Sequence, residues 1–239
     1  MKLTVIIPVL NEKDTIRDVV RDVLAVKIPA KKEVIIVDDG STDGSTKIIK
    51  ELKNSRPAVI KALFKKQSEG KGKAIIDATG LITGDIVMIQ DADHEYAISD
   101  YPGLLKPFIE NRADVVLGSR FKGTVRNMKF QNRIANMLLT FFANLLYGIH
   151  ITDEATAYKL FRVDIFRKFR LESKRFEFCP ETVSKSAILG CRITEVPVNY
   201  SARTEEEGKK IKWFDLVTAV WALIKFRSWK PAAEKSRKK

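Results

Sequence analysis

Asp91 and Asp93, in the run Asp85-Ile-Val-Met-Ile-Gln-Asp-Ala-Asp93, are the residues best placed to do chemistry. The apolar and β-branched residues before them predict a strand, and the two carboxylates stand where it should end. Spaced i, i+2 at a strand terminus, both can turn toward one divalent cation. Oxygen-only ligands suit hard ions, Mg²⁺ or Mn²⁺, and such ions usually also hold a substrate phosphate. A second acidic pair, Asp38 and Asp39, ends an earlier predicted strand in Glu33-Val-Ile-Ile-Val-Asp-Asp-Gly40. Aspartates also end strands simply as turn formers. Two such pairs in one open α/β sheet favour a nucleotide site along its carboxyl edge.

The elements that must carry these ends alternate through the first 120 residues. Strands are predicted at Leu3 to Val9, Glu33 to Val37, Val59 to Phe64, Asp85 to Gln90 and Asp114 to Gly118. Helices are predicted at Asp14 to Val26, around Thr46 to Leu52, at Lys73 to Leu81 and at Tyr101 to Glu110. Uninterrupted apolar strands between helices predict an α/β fold with a mainly parallel sheet covered on both faces. Pro8-Val-Leu-Asn-Glu12 becomes the first strand-to-helix loop, at the edge where open sheets bind ligands. Gly70-Lys-Gly-Lys73 approximates a phosphate loop but lacks the Walker spacing. It is expected to open a helix, with Lys71 bordering a nucleotide. A single domain over 1–229 is expected, with a nucleotide-binding half (1–120), an acceptor- and membrane-facing half (121–229) and a basic tail (230–239).

The formal charge of +13 favours a polyanionic partner: nucleic acid, an anionic membrane face or a phosphorylated substrate. The charge is spread along the chain without a basic stripe interleaved with aromatics, so nucleic acid is not expected. Cys179 and Cys191 lack metal or disulfide spacing, and His94 and His150 form no zinc motif. The early first strand leads to the expectation of no signal peptide and of a cytoplasmic setting. Residues 134–152 contain no Asp, Glu, Lys or Arg. Asn136, Thr140 and Asn144 form one stripe there, opposite Ile134, Met137, Leu138, Phe141, Phe142, Leu145 and Leu146. Such an amphipathic helix would lie on a membrane or against the sheet rather than span a bilayer. A second is predicted at Trp213 to Phe226, with Trp213, Leu216, Val217, Val220, Trp221 and Ile224 on one side. With the basic tail Lys230 to Lys239, these helices suggest a peripheral anchor.

In order, the motifs are Pro8-Val-Leu-Asn-Glu12, Val37-Asp-Asp-Gly-Ser-Thr-Asp43, Gln90-Asp-Ala-Asp93 and Gly118-Ser-Arg120. This series resembles the family 2 glycosyltransferases, which have the GT-A fold. Asp153-Glu-Ala-Thr-Ala-Tyr-Lys159, Phe176-Glu-Phe-Cys-Pro-Glu181, Glu195-Val-Pro-Val198 and the stretch Arg203 to Trp213 extend the resemblance to the polyprenyl-phosphate hexosyltransferase branch, typified by dolichol-phosphate mannose synthases. The resemblance implies that Pro8, Leu10, Glu12, Val37 and Asp39 line the base and ribose of a sugar nucleotide. It implies that Asp91, Ala92 and Asp93 hold metal and diphosphate, that Glu95 is a further metal ligand, and that Arg120 meets a phosphate. Arg203, Lys209 and Lys210 would close over the diphosphate, so that Asp93, Arg120, Arg203, Lys209 and Lys210 carry the catalysis. The chain departs from the family in Thr156-Ala157, where Ser-Gly is usual, and in Gly208-Lys-Lys-Ile, where Gly-x-Ser-Lys is usual.

The implied activity is metal-dependent, inverting transfer of a hexose to a polyprenyl or dolichyl phosphate at the cytosolic membrane face. The donor would be of GDP-mannose or UDP-glucose type; the alternative is a sugar or other non-lipid acceptor. Leaving-group charge on a nucleoside diphosphate calls for a metal with Arg and Lys clamps. A lipid phosphate is already anionic near neutral pH, so no general base is required.

Overall fold

A computed structural model of the chain describes residues 1–203 and 214–231. Seven strands form the central sheet: β1 (Lys2–Val9), β2 (Lys31–Asp38), β3 (Ile60–Phe64), β4 (Ile86–Ile89), β5 (Val115–Ser119), β7 (Lys159–Arg162) and β8 (Ile193–Pro197). Their order is β3-β2-β1-β4-β7-β5-β8. A small second sheet pairs β6 (Val125–Arg126) with β9 (Tyr200–Ser201). The helices are α1 (Ile16–Ala25), α2 (Ser45–Ser55), α3 (Lys71–Ala78), α4 (Tyr101–Ile109), α5 (Phe130–Tyr147), α6 (Val163–Lys168), α7 (Phe178–Ile188) and α8 (Phe214–Phe226).

The expected mainly parallel α/β sheet is present. Its apolar strands bury both faces, as parallel strands covered by helices must. Val5, Ile7, Val34, Ile36 and Met88 pack with α1, α2 and α4 on one side. Ile6, Ile35, Val37, Val87 and Ile89 pack with α3, α6 and α7 on the other. The departure is β7, which runs antiparallel between β4 and β5. Its four residues, Lys-Leu-Phe-Arg, are too short to carry a period, so only pairing with β4 and β5 defines it as a strand.

Register brings the acidic ends together. Val9 of β1 aligns with Asp38 of β2, and Ile6 of β1 aligns with Ile89 of β4. Asp38–Asp39, the loop 10–12 and Asp91–Asp93 therefore leave one sheet edge from three neighbouring strands. The chain reverses direction across the sheet at β1, the switch point where open sheets form a crevice.

The amino-end edge carries a different acid. Glu33 is buried and accepts bonds from Thr4 Oγ1 (2.6 Å), Thr83 N–H (2.7 Å) and Thr83 Oγ1 (2.6 Å), with Lys2 Nζ at 2.9 Å and Lys61 Nζ at 3.2 Å. Burial alone would raise its pKa, but the bonds from Thr4, Thr83 and Lys2 outweigh it and hold the carboxyl far below the usual glutamate range. A depressed folded pKa contributes stability that is full above the ordinary value of about 4.3 and drains away as pH falls below it. Glu33→Gln is expected to cost about 2 kcal/mol at neutral pH. Urea unfolding should show that gap shrinking as the solution is acidified; a pH-independent gap would contradict the assignment.

Helix α5 inverts the usual amphipathic arrangement. Leu139, Thr140 and Ala143 face inward, while Phe130, Ile134, Met137, Leu138, Phe141, Phe142 and Leu145 are exposed. Two residues of the polar stripe serve the turn after the helix. Thr140 Oγ1 accepts Glu154 N–H at 2.9 Å, and Asn144 brackets Ile151 with bonds of 2.8 and 3.0 Å. In α8 the predicted apolar side divides. Leu216 and Val220 pack toward α5 with the buried Ala219 and Leu223, whereas Val217, Trp221 and Ile224 are exposed. Among the described residues, no helix is long and apolar enough to cross a membrane.

Candidate active site

The loops after β1 and β2 are locked together before any ligand arrives. Asn11 takes a left-handed φ of 55°, which asparagine tolerates. Its Oδ1 accepts Thr42 N–H (2.8 Å) and its own N–H donates to Ser41 Oγ (3.0 Å). Glu12 N–H donates to Ser45 Oγ and Lys13 N–H to Asp43 Oδ2, both at 3.0 Å. Asp38 is buried and accepts Ser41 N–H (2.9 Å) and the Thr46 hydroxyl. It is a loop organiser. Gly40 has φ +83°, and a Cβ there would stand 2.8 Å from the backbone of Gln67, so glycine alone fits.

Asp39 is equally committed. Its carboxylate accepts Ser68 Oγ (2.7 Å), Gly70 N–H (2.8 Å) and Glu69 N–H (3.2 Å), and pairs with Lys65 Nζ (2.7 Å). These four donors tie it to the loop 65–70, beside the end of β2. Pro8 and Val37 are register partners. Val37 is wholly buried in the core against α3 and presents no side-chain surface to a ligand. Leu10 and Glu12 lie on the loop beyond β1, at the site's edge.

The carboxylates after β4 are positioned by a residue to which the sequence assigned no role. Gln90 is fully buried; its Oε1 accepts the hydroxyls of Tyr101 (2.8 Å) and Tyr158 (2.9 Å), and its Nε2 donates to Asp91 O (2.9 Å). Ala92 is buried, and its carbonyl accepts Thr15 Oγ1 at 2.6 Å. Asp91 pairs with Lys71 of α3. Burial would lower the Lys71 pKa, but Asp91 more than offsets it, so the ammonium is held charged. Asp93 pairs with Arg203, whose guanidinium also grips Glu12 at 3.1 to 3.3 Å. Burial, with the charge of Asp91, pushes the Asp93 carboxyl up to about 7 in spite of Arg203.

Glu95 follows the pair on the same loop. Its carboxylate accepts Arg203 N–H (2.8 Å) and Tyr200 OH (3.1 Å). Among the described residues, no group of three or more His, Cys, Asp or Glu side chains is arranged to hold a metal ion. Asp91 and Asp93 remain as an all-oxygen donor pair. Their mutual repulsion, and the two cations already drawn to them, fit a divalent ion that takes one or two carboxylates and completes its shell with phosphate and water.

Arg120 directly follows β5. It is buried and chelated by Asp153 through Nε and Nη2, both at 2.7 Å, with its backbone N–H on the same carboxylate at 2.9 Å. Its guanidinium lies over the Tyr200 ring at 5.2 Å, and Tyr200 in turn reaches Glu95, so Arg120 supports the acid cluster from behind. Glu195 fixes this arrangement by accepting Thr152 N–H (2.7 Å) and Asp153 N–H (3.1 Å). Lys209 and Lys210 lie outside the described residues, as does Trp213.

The constellation thus comprises interlocked strand-end loops, an acid pair and two cations facing it. The pattern of glycosyl transferase family 2 matches residues 4–170. The chain belongs to this family. Among family 2 relatives, it is 31% identical over 213 residues to the UDP-N-acetylglucosamine–dolichyl-phosphate N-acetylglucosaminyltransferase of Methanococcus voltae, covering 81% of this chain and 83% of the relative. It is 26% identical over 231 residues to the polyprenol monophosphomannose synthase of Mycolicibacterium smegmatis, covering 92% and 86%. In fold it matches glucosyl-3-phosphoglycerate synthase of Mycobacterium tuberculosis in complex with Mn²⁺, UDP-glucose and phosphoglyceric acid. That match has a TM-score of 0.67 and 17% identity, over 97% of this chain and 81% of that one. The chain is therefore a family 2 glycosyltransferase with a GT-A-like fold, similar to enzymes of the polyprenyl-phosphate branch.

Proposed function

We propose that the chain is a metal-dependent, inverting transferase that moves a hexose from a nucleoside-diphosphate sugar to a polyprenyl phosphate while resting on the cytosolic face of a membrane. The observation that carries the lipid acceptor is the outward apolar surface of α5 and α8. Phe130, Leu145 and Trp221 are 74%, 67% and 65% exposed. Soluble monomers rarely leave so large an apolar patch without a partner. The chain's charge of +13 adds attraction to an anionic leaflet. Two relatives whose names specify dolichyl phosphate and polyprenol monophosphomannose support the same reading.

In this reading Asp91 and Asp93 would hold Mg²⁺ or Mn²⁺, which would supply positive charge for the leaving diphosphate. Lys71 and Arg203, which now neutralise those aspartates, supply the protein's own positive charge to the same phosphates. Arg203 must release Asp93 to do so. Asp39, with Ser68 and Lys65, fixes the loop beside the nucleotide. Arg120 holds the Asp153 turn and offers a phosphate only the guanidinium edge turned away from Asp153. The acceptor phosphate attacks as an anion, so no side chain need remove a proton, and direct displacement inverts the anomeric carbon.

The test is incubation with labelled GDP-mannose, UDP-glucose or UDP-N-acetylglucosamine, Mg²⁺ or Mn²⁺, and dolichyl phosphate in anionic vesicles. A lipid-linked sugar is expected with one donor. Product on soluble acceptors alone, without vesicle binding, would select the non-lipid alternative. Leu145→Asp combined with Trp221→Ser is expected to weaken vesicle co-sedimentation about tenfold or more, since each exposed side chain contributes about 1.5–3 kcal/mol when buried. The melting temperature should hold, because neither side chain packs in the core. Unchanged sedimentation would rule out this surface.

A further inference from the structure

We propose that Glu181 and Lys185 of α7 are positioning residues for the donor site, acting through the turn 169–174 on the start of α3. This rests on the reading that Lys71 and Asp91 border the donor diphosphate. Both side chains are completely buried, and Lys185 Nζ meets Glu181 Oε1 at 2.5 Å. Their other hydrogen bonds go to the backbone of one turn. Glu181 accepts the N–H groups of Glu172 (2.9 Å) and Ser173 (2.8 Å). Lys185 donates to the carbonyls of Phe169 (3.0 Å) and Arg170 (3.4 Å). Within that turn Arg170 has φ 47°, a conformation that a non-glycine residue keeps only where its surroundings hold it. A buried ion pair adds little net stability, because desolvation offsets its attraction. What this pair supplies is a fixed path for the turn.

The turn's next carbonyls press on α3. Lys174 O accepts Lys73 N–H at 2.9 Å. A Cβ on Gly70 would stand 2.5 Å from Lys174 O, and one on Gly72 would stand 2.1 Å from Ser173 O. Glycine at both positions lets the helix start sit directly on the turn, so the turn sets its height. From that start, Gly70 N–H reaches Asp39 at 2.8 Å and the Lys71 ammonium reaches Asp91. The buried pair on α7 thereby fixes where the Lys71 charge stands, although neither member touches the site.

Two measurements on the full chain test this. In Glu181→Gln without ligand, amide hydrogens of Gly70 and Lys73 should exchange about tenfold faster while those of Ile35 and Ile36 in β2 keep their rates. No change at Gly70 and Lys73, or equal acceleration throughout, overturns the proposal. Should that variant not fold, Gly72→Ala, which leaves the ion pair intact, is expected to give the same local acceleration. Calorimetric titration with UDP and with GDP, each with Mn²⁺, supplies the second readout. Glu181→Gln should weaken binding of whichever nucleotide the unmodified chain binds by about tenfold, but by less than about twofold in a Lys71→Ala background. Equal losses in both backgrounds overturn the proposal. An unmodified chain that binds neither nucleotide, with the local exchange pattern present, upholds the link from α7 to α3 and overturns the donor-site reading instead.

Discussion

Asp93→Asn is expected to lower sugar transfer by about 10³-fold, the scale on which losing one electrostatic stabiliser of a charged transition state is felt. The aspartate is buried beside Asp91 and faces Arg203. Asparagine keeps the shape and removes the charge. Two consequences separate a loss of metal from a loss of fold. Mn²⁺ affinity, read by electron paramagnetic resonance without nucleotide, should fall together with turnover. The melting temperature should hold or rise, because the substitution relieves crowding among Asp91, Asp93 and Glu95 at a site arranged for function rather than stability. An asparagine variant within about tenfold of normal turnover would remove Asp93 from the chemistry.

Arg203→Gln should produce two effects of opposite sign. Turnover is expected to fall by about 10²-fold or more, as when a charge clamp on a leaving group is lost. Mn²⁺ binding without nucleotide is expected to strengthen by about tenfold, because a cation competing for the same carboxylate is removed. The geometry behind the second effect is specific. Arg203 spans Glu12 and Asp93 with its two terminal nitrogens, and its backbone N–H holds Glu95. Lysine should restore neither effect in full, since a point charge cannot bridge two carboxylates as a planar fork does. Were Mn²⁺ affinity unchanged in Arg203→Gln, the guanidinium would not be a rival of the ion, and its contact with Asp93 would be incidental.

The parts legible in the sequence were those with local causes. Apolar runs such as Val34 to Val37 and Ile86 to Ile89 become buried parallel strands because no other arrangement hides both of their faces. Aspartates after those runs emerge at the carboxyl edge because parallel strands share a direction. The α5 segment was recognisable as amphipathic, but not which way it faced. Thr140 and Asn144 turn inward because the 151–154 backbone needs hydrogen-bond partners there, and that need is visible only once the turn is packed beneath the helix.

The roles of single charged residues divide along the same line. Composition and spacing by themselves determined that Asp91 and Asp93 lie at a strand end, next to each other and near a second acidic strand end. They could not determine that Asp39 is already satisfied by the loop 65–70, that Arg120 is held by Asp153, or that Glu95 serves Tyr200 and Arg203. Each of those partners is distant in sequence, and a carboxylate's availability depends on how many donors surround it in space. Gln90 went unassigned for the same reason: nothing in its neighbours along the chain shows what its buried oxygen receives. Local pattern therefore decided where the acids would be. Tertiary packing decided which donors surround each of them, because those donors come from residues distant in sequence.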